Sequence, residues 1–204
     1  MTNGAVLGIL CAGSYLLGSL PFGLWVAKRL KGIDIRQMGS GNIGATNVGR
    51  VCGPVAGSFV FALDVLKGLL PPIIARALNL ESHWQILCAL LAMLGHTCSI
   101  WLKFKGGKGI ATGLGTFLGT APPVGGIALA LWVLVVLVTR YISIASMLAA
   151  IALPVLTPFF YPNDPYRLAF ALVACLIANY KHLPNLKRLR AGTEPKIRLP
   201  WVKS

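Results

Sequence analysis

The chain has 204 residues, 56% of them hydrophobic and only 12% charged, and its 19 Lys and Arg against 5 Asp and Glu give a formal net charge of +14. A soluble domain of this length carries about a quarter charged residues, so this composition and a mean hydropathy of +0.74 exclude one. The cations do not make a nucleic-acid binder either, because they punctuate apolar runs of roughly 20 residues, each able to cross about 30 Å of hydrocarbon, instead of lining a groove on a water-soluble scaffold.

Seven apolar segments follow one another, near residues 4–27, 55–78, 84–102, 110–121, 124–139, 142–160 and 166–181. The expected fold is an all-α integral membrane protein, a seven-span helical bundle forming one transmembrane domain over 1–204. The first segment has no Lys or Arg before Lys28 and Arg29, whereas a cleaved signal peptide carries its charge in front, so it reads as a retained span. The fourth is short: twelve helical residues reach about 18 Å, so it is tilted, surrounded by protein, or a half-helix. Its Gly115 and Gly119 spacing lets another helix come close.

Charge sets the orientation. Lys and Arg gather in loops 28–54 and 103–109, at Arg140, and in the tail 182–204 with Lys181 before it, leaving only Arg76 and Arg167 on the other side and Lys67 within a span. The positive-inside rule then places the N-terminus outside and the C-terminus in the cytoplasm. Trp25, Trp84 and Trp101 fall near span ends, as interfacial anchors do. The five cysteines form no C-x-x-C pair and read as reduced packing residues. Pro184, Pro195 and Pro200 keep the tail from forming one long helix, and its charge suits an anionic lipid surface.

Three stretches combine glycine, hydroxyl, amide and cationic residues, the composition that wraps phosphate oxygens with backbone N–H groups and neutralises them. In GSGNIGATNVGR, Gly39, Gly41, Gly44 and Gly49 permit close backbone approach, Ser40, Thr46 and Asn47 supply short donors, and Arg50 a bidentate fork. This reads as an anion cradle opening into a helix, although neither G-x-x-x-x-G-K-[ST] nor G-x-G-x-x-G is present. In GHTCSIWLKFKGGKGIATG, Lys103, Lys105 and Lys108 surround Gly106, Gly107 and Gly109, and a helix starting there adds about half a positive charge. His96 and Ser99 lie within the third span, where an ionisable group is costly and calls for a binding role. In NYKHLPNLKRLRAGTE, His182, Asn185 and Arg188 recur at three-residue intervals ahead of Glu194. Asp64 and Lys67, three apart in the second span, can neutralise one another.

With so few carboxylates, paired-carboxylate hydrolysis and a magnesium cage are both improbable, and no metal site is expected. No H-x-x-x-x-D occurs, so the His–Asp pair that activates a hydroxyl toward a thioester is missing. A cation-rich, base-poor site suits phosphorylated substrates of which one is already activated. The residues alone leave open an enzyme or a carrier acting on a phosphorylated metabolite; a carrier predicts a polar path through the whole membrane with inverted repeats, and no internal repeat is visible.

At these clusters the chain resembles the bacterial acyl-phosphate-dependent glycerol-3-phosphate acyltransferases, the PlsY family. SGNIGATNVGR, GHTCSIWLKFKGGKGIATG and HLPNLKRLRAGTE stand in the family's order and spacing, with Cys98 where the family has Phe. The resemblance implies an inner-membrane enzyme of the bacterial cell, facing the cytoplasm, that needs no cofactor. It would acylate the 1-hydroxyl of sn-glycerol 3-phosphate from a fatty acyl phosphate, releasing inorganic phosphate in the first step of phospholipid synthesis. Carried over, Ser40, Gly41, Thr46, Asn47 and Arg50 cradle phosphate and Gly106, Gly107 and Lys108 complete an anion pocket. Ser146, His182 and Asn185 orient glycerol 3-phosphate, and His96, Arg188 and Glu194 complete the binding set. Membrane lipid is the surrounding partner, and a soluble acyl-phosphate-producing enzyme is a candidate to dock on the basic tail.

Overall fold

The computed structural model describes residues 4–197, which hold ten α-helices, two single-turn 3-10 segments and no strand. The chain divides into two compact units, 1–122 and 123–204.

The first unit opens with α1 (Gly4–Ser19) and α2 (Phe22–Lys31), so the first apolar segment is one span broken in the middle. Pro21 is the cause, since it has no N–H to continue the helical ladder. The carbonyls left at the break are taken by side chains: Ser99 Oγ donates to Ser19 O at 2.6 Å and Lys67 Nζ to Leu20 O at 2.8 Å. Broken helices survive in a membrane only where protein satisfies the freed backbone in this way. After the break come a 3-10 turn at Ile35–Gln37 and α3 (Ala45–Cys52), then α4 (Pro54–Ala77), α5 (Ser82–Thr97), a 3-10 turn at Ile100–Leu102 and α6 (Ile110–Thr120).

α6 is the short fourth segment, and protein surrounds it. Thr112, Thr116, Phe117 and Thr120 are each no more than 2% exposed. It lies flush on α4, where a Cβ on Gly115 would meet the Val65 carbonyl and one on Gly68 the Thr112 carbonyl. α1 and α5 are equally close, for a Cβ on Gly18 would fall on the Ala92 backbone and one on Gly95 on the Tyr15 carbonyl. Small residues at such contacts let helices gain dispersion energy that apolar burial cannot supply inside lipid.

The second unit consists of α7 (Pro122–Thr139), whose first residue falls at the division, α8 (Ile142–Phe160), α9 (Pro165–Lys181) and α10 (Leu183–Arg190). Asp164 caps α9 by accepting from Arg167 N at 2.9 Å, and Pro165 fills the first helical position, where its missing N–H costs nothing. Five helical stretches are long and apolar enough to cross a membrane: Gly4–Lys31, Pro54–Ala77, Ser82–Leu102, Pro122–Thr139 and Ile142–Phe160. α6 is a shorter apolar helix of 11 residues and α9 has 17. Residues 198–204 of the basic tail, Pro200 among them, lie outside the described residues.

Candidate active site

In the first unit the GSGNIGATNVGR stretch is a loop, Gly39 to Gly44, that runs directly into α3. Its shape comes from two anchors. Ile35, Ile43 and Val48 are at most 5% exposed and pack with Ala27, Val60 and Leu102. Asn47, itself 1% exposed, wires the loop from within: its Oδ1 accepts from Ser40 N at 2.9 Å, and its Nδ2 faces Met38 O and Asn42 O at 2.9 Å and Ile35 O at 3.3 Å. The amide is thus spent on the loop's own backbone. Gly39 and Gly41 have φ of 60° and 71°, while Gly44 is extended and Gly49 helical, so two of the four glycines supply left-handed turns. Thr46 and Arg50 are four apart and share a face of α3, whose first N–H groups point back into the loop. Lys31 Nζ caps the other end of α3 by donating to Val51 O at 2.6 Å. Just ahead of the loop, the Arg36 guanidinium grips Asp34 and holds its carboxyl down at about 2.

The lysine-rich stretch folds back over the end of α5. Gly106 N donates to Thr97 O at 3.2 Å and Gly107 N to His96 O at 3.1 Å, while Lys103 and Phe104 turn the chain in left-handed conformation. Gly109, at φ 79°, then starts α6, which places Lys108 beside a helix N-terminus. That end carries a partial positive charge, so Lys108 and the backbone there favour an anion together. His96 is 4% exposed and stands behind this segment, for a Cβ on Gly107 would land on its Nε2.

In the second unit His182 sits at the joint between α9 and α10, 3% exposed, with Nδ1 2.7 Å from Ala178 O. A carbonyl can only accept, so Nδ1 carries a proton, and the neutral tautomer compatible with this contact has its lone pair on Nε2. Asn185 Nδ2 donates to Glu194 Oε1 and Arg188 Nε to Glu194 Oε2, both at 2.7 Å. Burial pushes the Glu194 carboxyl up, but the hydrogen bonds from Asn185, Ser143 and Arg188 outweigh it and hold the group below its ordinary value. Ser146, 2% exposed on α8, accepts from Trp132 Nε1 at 3.1 Å.

Within the first unit the structure joins Ser40 to Asn47 and sets Gly106 and Gly107 against Thr97 and His96, and within the second it joins Asn185 and Arg188 to Glu194, next to His182. Sequence reasoning missed Asn42, whose Oδ1 accepts from Gly44 N at 2.8 Å, and Ser143 and Trp132, which hold Glu194 and Ser146. Asn42 carried a signal, an Asx residue two before a glycine at a helix start. Among the described residues no group of three His, Cys, Asp or Glu could hold a metal.

A family model described as glycerol-3-phosphate acyltransferase matches residues 8–192. Proteins named glycerol-3-phosphate acyltransferase from Fusobacterium nucleatum and Geobacter sulfurreducens are 43% and 46% identical, covering 91% and 93% of this chain and 95% and 97% of theirs. A crystal structure of PlsY (YgiH), an integral membrane glycerol 3-phosphate acyltransferase in its glycerol 3-phosphate form, matches with a TM-score of 0.88 at 38% identity over 95% of this chain and 96% of that one. The lysophosphatidic acid form matches at 0.84 and 39%, with the same coverage. Matched along nearly its whole length, the chain belongs to the glycerol-3-phosphate acyltransferase family as a multi-pass integral membrane protein.

Proposed function

We propose that this chain transfers a fatty acyl group from acyl phosphate to the 1-hydroxyl of sn-glycerol 3-phosphate, giving 1-acylglycerol 3-phosphate and inorganic phosphate. The observation that carries this reading is the near full-length match to a family member whose crystal forms are described by substrate and product, glycerol 3-phosphate and lysophosphatidic acid. The acyl phosphate donor is supported by the sequence resemblance and by the chemistry present, which is rich in cations and lacks the His–Asp pair used with thioesters.

In this reading the substrate hydroxyl oxygen attacks the acyl carbonyl carbon, the carbonyl carbon to phosphate oxygen bond breaks, and phosphate leaves with the bonding electrons. The hydroxyl proton passes to a phosphate oxygen. Ser40, Arg50 and Lys108 hold and neutralise phosphate groups, with Gly41, Thr46, Gly106 and Gly107 offering backbone and hydroxyl donors. Asn47 acts by fixing the loop and His96 by backing the segment at Gly107. His182, Asn185 and Ser146 orient glycerol 3-phosphate, and Glu194 holds Asn185 and Arg188 in place. Positioning and charge stabilisation suffice for a mixed anhydride, which is already activated.

His182 as general base is the second reading, favoured by the lone pair that its contact with Ala178 O leaves on Nε2. Near-normal turnover of His182→Gln would exclude it. The charge distribution supports seven crossings in the bacterial inner membrane, N-terminus outside, with loops 28–54 and 103–109 and the tail 182–204 facing the cytoplasm. The assignment is tested by supplying radiolabelled glycerol 3-phosphate and palmitoyl phosphate to purified protein. It predicts labelled lysophosphatidic acid, lost in Arg50→Ala and Lys108→Ala, and its absence with folded wild-type protein contradicts it.

A further inference from the structure

Asp64 and Lys67 are each 2% exposed within α4, with Lys67 Nζ 2.7 Å from Asp64 Oδ1. A buried ion pair is weak evidence of a stabilising device, because desolvating both charges offsets their attraction. Closing the helix break at Leu20 explains one donor of Lys67 and leaves the carboxylate unexplained. What the carboxylate faces is His96, whose Nδ1 lies 3.7 Å from Asp64 Oδ1. The other side of that ring lies against Gly107, where a Cβ would strike Nε2 and pass 3.1 Å from Cε1. The His96 carbonyl meanwhile accepts from Gly107 N at 3.1 Å.

We infer that Asp64, Lys67 and His96 are positioning residues for acyl transfer: the ion pair holds the imidazole as a stop against which the Gly106–Gly107 segment seats, and this fixes where Lys108 is delivered. The inference rests on the phosphate-binding role given above to Lys108. Side chain and backbone of His96 clamp the same glycine from one residue, so a shift of the ring moves the segment with it. Interiors this tightly packed transmit such shifts and do not absorb them. Any other residue at position 107 would hold the segment away from the ring.

The test compares His96→Leu, which keeps bulk without a polar atom, His96→Gln, which keeps one, and the double variant Asp64→Asn/Lys67→Met, which removes both charges together and strands neither. Each is assayed at a temperature where its melting curve shows it fully folded. Loss of positioning predicts that His96→Leu and the double variant drop in kcat by on the order of 10- to 100-fold. They should also be inhibited several-fold more weakly by inorganic phosphate, the product and a direct probe of the Lys108 pocket, whereas His96→Gln retains most of both. Folded variants with lowered melting temperature but wild-type kcat and phosphate inhibition would overturn the inference and leave the three residues a structural role. Lys108→Ala is run alongside. Full turnover there would overturn the reading of the Lys108 pocket itself, and the inference with it, whereas loss in Lys108→Ala beside normal kinetics in the other variants would overturn the inference alone.

Discussion

Asn47 and Glu194 occupy the same kind of place in their respective units, a buried polar group whose hydrogen bonds organise neighbours proposed above to bind substrate. Asn47→Ala strips the amide from four backbone groups and should cost about 1–3 kcal/mol, read as a lower melting temperature. Asn47→Asp should be at least as harmful, because it sets a carboxylate among the Ile35, Met38 and Asn42 carbonyls. Glu194 gives a prediction in pH. Its folded-state pKa lies below the ordinary 4.5, so the folded state favours the ionised form, and that contribution is complete above pH 4.5 and lost as pH falls through the folded value. Melting temperatures taken from about pH 6 down to pH 3.5 should fall in wild type and fall less in Glu194→Gln. At this scale the sequence offers residue types suited to phosphate but not their partners. The proposed binding residues Asn47 and Glu194 also hydrogen-bond within the protein, to groups that composition does not name.

Elements were the most legible level where apolar length decides the outcome. The expected span 142–160 coincides with α8, and 55–78 differs from α4 by one residue at each end. Hydropathy delimits the first segment, 4–27, without marking the break at Pro21, because it does not register a missing N–H and the partners of the freed carbonyls, Ser99 and Lys67, are distant in sequence. α6 was legible as a short helix needing protein cover, since its length and glycines point there directly. Its glycines separate into two kinds with opposite predicted effects. Gly115→Ala would drive a methyl into the Val65 carbonyl and should destabilise by about 1–3 kcal/mol. Gly113→Ala meets nothing within 4 Å, and in a helix should stabilise by about 0.5–1 kcal/mol. Thermal unfolding of the two variants in the same detergent checks both signs.

For the molecule as a whole, the proposed reading gives an excess of cations over carboxylates two tasks with one set of residues: to orient the chain in the membrane and to supply the anion-binding side chains of the clusters. The proposed topology predicts that a cysteine introduced at Asn163 reacts with a membrane-impermeant maleimide from outside intact cells, while one at Thr193 reacts only after the inner membrane is opened. Fold class and family were readable from sequence because both rest on long runs and on motifs with fixed spacing. The tertiary contacts of buried polar groups were not, because they join residues tens of positions apart, as Ser19 with Ser99 and Asp64 with His96.

The most direct measurement of the central claim is release of inorganic phosphate from palmitoyl phosphate by purified protein, with and without glycerol 3-phosphate, alongside palmitoyl-CoA as donor. The account predicts phosphate release that depends on glycerol 3-phosphate, matched by lysophosphatidic acid, and no acyl transfer from palmitoyl-CoA. Folded protein that leaves the acyl phosphate untouched, or that transfers equally well from the thioester, would contradict it.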